Sequence, residues 1–322
     1  MSGGPAAGDP GVTYRISYGK KQVPFHRVYA TPLTGLTPIP ESTFTGRSNI
    51  VFACEVDVEV IGEDFLPAYT VGDNSLVVAT DSMKNIIIRQ AMAFSGATHE
   101  GYLASLAQTF IERYEHLHDL RLEARQLPFT ASQVAGEGRS PGASDVVFDY
   151  VPGGDHAVAR MRVQRGEEGP VIVEQESGRV GMQLLKVTGS SFTAFVRDEH
   201  TTLPERRDRP LFIHLDVFWR YREAAACLGD DPATYVAAEQ MGDLCRSVFD
   251  GFVSESIQHL IHEMGRRMLA RFPQLASVRF VAENHTRDPW HQSEDDPRAK
   301  VYSEPFPAFG EIRLEMTRAT EG

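Results

Sequence analysis

The stretch RYEHLHDLRLE (residues 113–123) recurs in altered form as RFPQLASVRFV (residues 271–281). Arg113, Tyr114, Leu117, Leu120 and Arg121 meet Arg271, Phe272, Leu275, Val278 and Arg279 at a constant offset of 158, close to half of the 322-residue chain. A spacing that long means two copies of one large unit rather than a stack of short repeats. Each copy closes an amphipathic helix pattern and leads into a strand pattern. Ahead of the first, Leu103, Leu106, Ala107, Phe110, Ile111 and Tyr114 share one stripe. Ahead of the second, Ile257, Leu260, Ile261, Met264 and Met268 do the same.

Strand patterns fill much of the rest. In CEVDVEVIG (54–62), Cys54, Val56, Val58 and Val60 alternate with Glu55, Asp57 and Glu59, the period of a sheet with one wet face. YRISYGKKQVPFHRVYA (14–30), PVIVEQESG (170–178), SSFTAFVRD (190–198), PLFIHLDVFWRY (210–221) and GEIRLEMTR (310–318) are further candidates. Paired strands followed by amphipathic helices predict an α+β chain, an antiparallel sheet with helices on one face, made twice. Residues 1–12 are expected to be a flexible tail, 13–145 the first unit and 146–316 the second. The Gly/Ser-rich segment 130–145 is expected to link the halves, and WHQSEDDPRAK (290–300) to be an exposed loop. Residues 223–252 read as a helical insertion in the second unit.

Acidic residues outnumber basic ones 44 to 32, for a net charge of −12, which argues against a nucleic-acid partner. Cys54, Cys227 and Cys245 are far apart and lack CxxC pairing, so a disulfide framework or structural zinc is not indicated. A reducing cytoplasm is the expected setting. No apolar run approaches the ~20 residues a helix needs to span a bilayer. The opening residues lack the basic start and apolar centre of a signal peptide.

Known catalytic signatures are scarce. His259, His262 and Glu263 are in the wrong order for a zinc-protease helix, so no metal is assigned there. No phosphate-binding glycine loop or nucleophile elbow follows a strand pattern. What remains is VGDNSLVVATDSMKN (71–85), expected to be a short apolar strand ending on Thr80, Asp81 and Ser82. Asp81 or Ser82 would cap the helix that follows. Capping does not use Thr80, a hydroxyl at a helix N-terminus where ligands can bind. Taken singly, Arg209 reads as a surface ion pair, Phe192 as core and Gln258 as helix surface.

Together with the Tyr18-Gly19-Lys20 run, FVRDEHTTL followed by Asp208-Arg209, and SIQHL, that stretch forms an ordered series. The series resembles the cofactor-independent urate oxidases (uricases) over about residues 14–316. RDRPLFIHLDVFWRY and VYSEPFPAFGEIRLEM are similar to bacterial members in particular. The resemblance implies the tunnelling fold (T-fold), two tandem antiparallel-sheet units whose barrel is closed by oligomerisation into a homotetramer. It also implies sites at subunit interfaces and cofactor-free oxidation of urate by dioxygen to 5-hydroxyisourate and hydrogen peroxide in purine breakdown. No cofactor, metal, nucleic acid or membrane is implied.

Carried over position by position, the resemblance makes Lys20 and Thr80 a catalytic dyad, with Asp81 also contacting the ligand. Phe192 would stack on the purine, Arg209 would clamp one edge, and Gln258 with the backbone of Ile257 would hold the other. Asn284 would hold dioxygen or water above the ring. The family's Asn-x-His run is here Asn284-His285-Thr286. Thr286 thus holds the relay histidine's place and His285 stands one residue early, so both are catalytic candidates. The residue types suit the chemistry, because urate reduces dioxygen once deprotonated and needs positioning and proton removal. Arg suits planar bidentate recognition, Gln offers donor and acceptor, and an aromatic face supports a flat ring. The alternatives are a T-fold oxidase or hydrolase of another purine- or pterin-like heterocycle, and a non-catalytic heterocycle-binding homologue.

Overall fold

The computed structural model describes residues 8–9, 11–136, 140–304 and 306–319. The expected tail falls largely outside them. In chain order the elements are β1 (Ser17–Val28), β2 (Val51–Ile61), α1 (Leu66–Thr70), α2 (Thr80–Ala93), α3 (His99–Arg113), β3 (Asp119–Gln126), β4 (Phe129–Val134) and β5 (Gly142–Tyr150). Then come β6 (His156–Arg165), β7 (Pro170–Lys186), β8 (Leu211–Tyr221), α4 (Ala238–Gly251), α5 (Ile257–Arg271), β9 (Leu275–Asn284), β10 (Pro289–Gln292), β11 (Lys300–Tyr302) and β12 (Gly310–Thr317). Eight strands make one antiparallel sheet in the order β1-β2-β3-β6-β7-β8-β9-β12. The other four form two hairpins, β4–β5 and β10–β11.

This is the T-fold pattern: two strands, a helix pair and two strands occur from β1 to β6 and again from β7 to β12. The repeat is physical as well as topological. Thr98 Oγ1 caps α3 by accepting from Gly101 N, and Ser256 Oγ caps α5 by accepting from His259 N, at the repeat spacing. Both first strand pairs carry a bulge. In one, Gln22 N donates to Asp57 Oδ1; in the other, Gly181 N donates to Asp216 Oδ1, each at 2.7 Å.

Burial follows the sequence periods. Cys54, Val56, Val58 and Val60 have no exposed surface, and fully burying each valine contributes about 1.5–3 kcal/mol. Leu103, Leu106, Ala107, Phe110 and Ile111 of α3 are buried, as are Ile257, Leu260, Ile261, Met264 and Met268 of α5. The other sheet face carries interleaved ion pairs, with Arg125 on Glu55, Asp57 and Glu123, and Arg160 on Glu123 and Glu176.

Several local expectations are corrected. Residues 130–145 do not link the halves: the described part belongs largely to the β4–β5 hairpin, and on the strand pattern the unit changes at the tight turn between β6 and β7. Ser132, Gly142 and Ser144 lie in its strands rather than in a linker. Residues 290–300 likewise form most of the β10–β11 hairpin, the counterpart in the second half. The 223–252 segment is no extra element, because its helix α4 occupies the place that α2 has in the first half. Residues 190–198 make only an isolated bridge, Phe192 with Arg206, and Ser190 bridges Ser254. Residues 71–79 form turns and extended chain rather than a strand. The N-cap of α2 is Ala79 with no side-chain cap, so neither Asp81 nor Ser82 fills that role.

Candidate active site

Lys20 sits where the β1 bulge begins. Gly19 before it is required: a Cβ there would lie 1.9 Å from the Val58 carbonyl oxygen. Tyr18 Oη accepts from Val78 N at 2.8 Å, tying β1 to the chain entering α2. Thr80 and Asp81 open that helix, and both are exposed. The Asp81 carboxylate accepts from Lys84 Nζ and Asn85 Nδ2. Its carboxyl is held below the ordinary range by Lys84 first and then by Asn85 and Lys20. The Tyr18–Val78 bond thus brings the part of β1 that carries Lys20 toward the N-terminus of α2, where Thr80 and Asp81 stand and the helix dipole favours an anion.

A second cluster lies in the other half. Phe192, Arg209, Asn284, His285 and Thr286 line one cavity together with Arg206, Phe212 and Arg287. The bridge to Arg206 fixes Phe192, and Arg209 N donates to Ser190 O. The Arg209 guanidinium stands 5.4 Å from the Phe192 ring centroid, and its Nε is buried without a protein partner among the described residues. Burial, then the neighbouring Arg206, lowers its pKa. A half-buried cation with no ion pair among the described residues is costly unless a ligand supplies the charge. Asp208 also lines the cavity, its carboxylate accepting from Thr188 Oγ1 and Gly189 N.

Ile257 and Gln258 do not line this cavity but open α5, the first buried and the second exposed. The Ser190–Ser254 bridge ties that helix start to the chain carrying Phe192. The ring of His285, which lines the cavity, is held by Glu283, with Nε2 2.9 Å from Oε2. Arg206 and Arg287 were not singled out from the sequence. Arg206 could have been found, since it lies in the RRDR run that contains Arg209.

Lys20, Thr80 and Asp81 do not line the cavity of the second cluster, yet the repeat counterparts of residues from both clusters line one cavity. A cavity of about 340 Å³ between the halves is lined by Arg179 and Glu239 on one side and by Arg47, His99, Gln126 and Pro128 on the other. Shifted by the repeat spacing of 158 or 159, Arg179 and Glu239 stand where Lys20 and Asp81 do. Arg47, His99, Gln126 and Pro128 stand where Arg206, Ile257, Asn284 and Thr286 do. Here the cavity is crossed by ion pairs, Arg47–Glu239 at 2.8 Å and Arg179–Asp155 at 2.9 Å. His99 stacks on Phe52 at 4.9 Å, and burial, then Arg47, holds its pKa down at about 3.

Comparison with known proteins points to one family. A family model described as Uricase matches residues 17–156 and 175–313, two stretches that begin at the spacing of the internal repeat. The uricase of Haloferax volcanii is 45% identical over 306 residues, covering 94% of this chain and 98% of that one. The uric acid degradation bifunctional protein PucL of Bacillus subtilis is 43% identical over 303 residues, covering 94% of this chain but 61% of that longer protein. Among solved structures, the urate oxidase of Bacillus sp. TB-90 superposes with a TM-score of 0.91 at 43% identity, over 94% of this chain and 100% of that one.

Proposed function

The chain belongs to the uricase family, and from this we infer that it oxidises urate with dioxygen and water to 5-hydroxyisourate and hydrogen peroxide. Urate supplies the two electrons and dioxygen accepts them. Lys20, relayed through Thr80, takes a proton from bound urate, and the electron-rich anion then reduces dioxygen. The peroxide leaves after taking up two protons, and water adds to the oxidised ring. The protein's part is orientation and proton transfer, which requires no bound cofactor. Phe192 supports the ring, and Arg209 and Gln258 hold its opposite edges. Asn284 and Thr286 stand over the face where dioxygen and water react.

The cavity between the halves carries this reading. Inside one chain, the start of α4 and the β7 bulge face the start of α3 and the end of β3. The repeat makes the start of α2, with Lys20 and Thr80, suited to face the start of α5 and the end of β9 in the same way. Only another chain can supply that contact, because β1 and β12 are opposite edges of the sheet. Edge strands offer unpaired backbone groups to a partner. The active site is therefore composite, built by Lys20, Thr80 and Asp81 of one chain and by Phe192, Arg209, Ile257, Gln258, Asn284 and Thr286 of another. A ring closed in this way, stacked on a second, gives a homotetramer. Among the described residues no helix is long and apolar enough to cross a membrane, and cytoplasmic purine breakdown is the setting we propose.

Chelator-treated protein incubated with urate in air should consume urate and release one hydrogen peroxide per urate. Under argon it should do neither. Urate loss without peroxide, or dependence on an added metal, would overturn the cofactor-free oxidase.

A further inference from the structure

We propose that His214, Glu283 and His285 form a binding site for a divalent transition-metal cation on the helix-free face of the sheet. The inference rests on the geometry of β8 and β9 and not on the urate reading.

His214 lies opposite Glu283 in the β8–β9 ladder, and His285 follows two residues later on the same chain. Glu283 Oε2 is 3.3 Å from His214 Nδ1 and 2.9 Å from His285 Nε2. All three ligand atoms lie within 4.8 Å of one another. A cation with bonds of about 2.0–2.1 Å separates its ligands by roughly 2.9 Å in octahedral and 3.4 Å in tetrahedral geometry. Two edges of a coordination polyhedron are therefore already set, and a rotamer adjustment closes the third.

Charge singles out the same place. On this face Glu55, Glu59, Glu123 and Glu176 are all paired with arginines. Glu283 meets only the two histidines among the described residues. Arg313 on the neighbouring strand is held by Glu311 instead. Phe212 and Phe309 pack edgewise and tilted on the imidazoles at 5.2–5.9 Å, fixing their orientation.

Two imidazoles and one carboxylate suit Zn²⁺, Co²⁺, Ni²⁺ or Cu²⁺ rather than Mg²⁺ or Ca²⁺, which prefer all-oxygen sites. The ligands sit on paired strands, so the site is largely preformed. A bound cation would pin the chain between Asn284 and Thr286, the two residues flanking His285.

The test is calorimetric titration of tag-free, chelator-stripped, full-length protein with Zn²⁺. One cation per chain should bind, at least tenfold more weakly in Glu283→Gln and His214→Gln, with circular dichroism confirming folded variants. Equal affinity in wild type and both variants, or no saturable binding, overturns the site. If a variant fails to fold, Cu²⁺ on the wild type decides it. An electron paramagnetic resonance spectrum showing two imidazole nitrogens supports the site, and one showing fewer rejects it. Loss of urate oxidation leaves this outcome untouched, so the two inferences fail separately.

Discussion

Arg165 and Arg318 hold the C-terminal ends of α3 and α5 by the same three carbonyls. Arg165 donates to Ile111, Tyr114 and Leu117, and Arg318 donates to Leu269, Phe272 and Leu275, their counterparts at the repeat spacing. Each arginine thus satisfies helix-end acceptors and opposes the negative end of the helix dipole. Arg165→Met or Arg318→Met should each destabilise the protein by about 2–3 kcal/mol, the cost of leaving buried acceptors unpaired. Urea unfolding measures this, and a loss below about 0.5 kcal/mol would mean that water replaces the clamp.

Lys20→Met and Thr80→Ala should each lower kcat by at least about a hundredfold, the usual contribution of positioned proton transfer. Both side chains lie outside the buried core, so melting temperatures should stay within a few degrees of the parent. Steady-state loss of urate absorbance reads the effect. Parent-like rates in both variants would remove the dyad.

A site shared by two chains can be rebuilt from two broken ones. Lys20→Met and Arg209→Ala should each be nearly inactive, the second by about 2–4 kcal/mol in kcat/KM through loss of the bidentate clamp. Refolded together, they form hybrids in which one interface carries both lesions and the other neither. Random mixing should then restore roughly a quarter of parent activity, because closed two-fold interfaces are reciprocal. No recovery would show that all the residues act within one chain.

His99 links stability to pH. Unfolded, its imidazole takes up a proton near 6.5; folded, not until about 3. Between those values the unfolded chain binds the extra proton, so stability falls as pH drops. From pH 6.5 to 5, above the carboxylate range, His99 accounts for up to about 2 kcal/mol. Denaturation midpoints should show a dependence about one proton shallower in His99→Gln. An unchanged slope would rule out His99 as its source.

The parts of the fold legible in the sequence were those set by one strong local period. The alternation of Val56, Val58 and Val60 and the stripe from Leu103 to Ile111 each have a single packing solution, and both elements formed as expected. Where tertiary partners decided, the pattern misled. Leu76 to Val78 look like a strand but find no ladder, and serve to bring Val78 N to the Tyr18 hydroxyl. Residues 142–150 carry the Gly and Ser of a loop, yet pair with β4. The eleven-residue repeat was visible because it marks a helix end and a strand start with little freedom to vary. The equivalence of α2 and α4 was not, since Thr80 and Asp81 have become Ala238 and Glu239. Thr80 stood out as a hydroxyl at a helix start that capping did not use, but Lys20 and Arg209 were reached through resemblance, because nothing in local periodicity links residues so far apart in the chain.

Duplication lets this chain use one joint in two ways. Between its own halves the joint is cemented: Arg47 grips Glu239 and Arg179 grips Asp155, so the mobile charges that chemistry would need are spent on holding the halves together. At its outer edge, in the assembly we propose, the same joint keeps a lysine, a threonine and a guanidinium that has no ion pair among the described residues. A ring of single, undivided units would have to be adhesive and reactive at every seam. In the proposed ring adhesion and reactivity can be mutated separately, and the inner seam can gain strength without slowing the outer one.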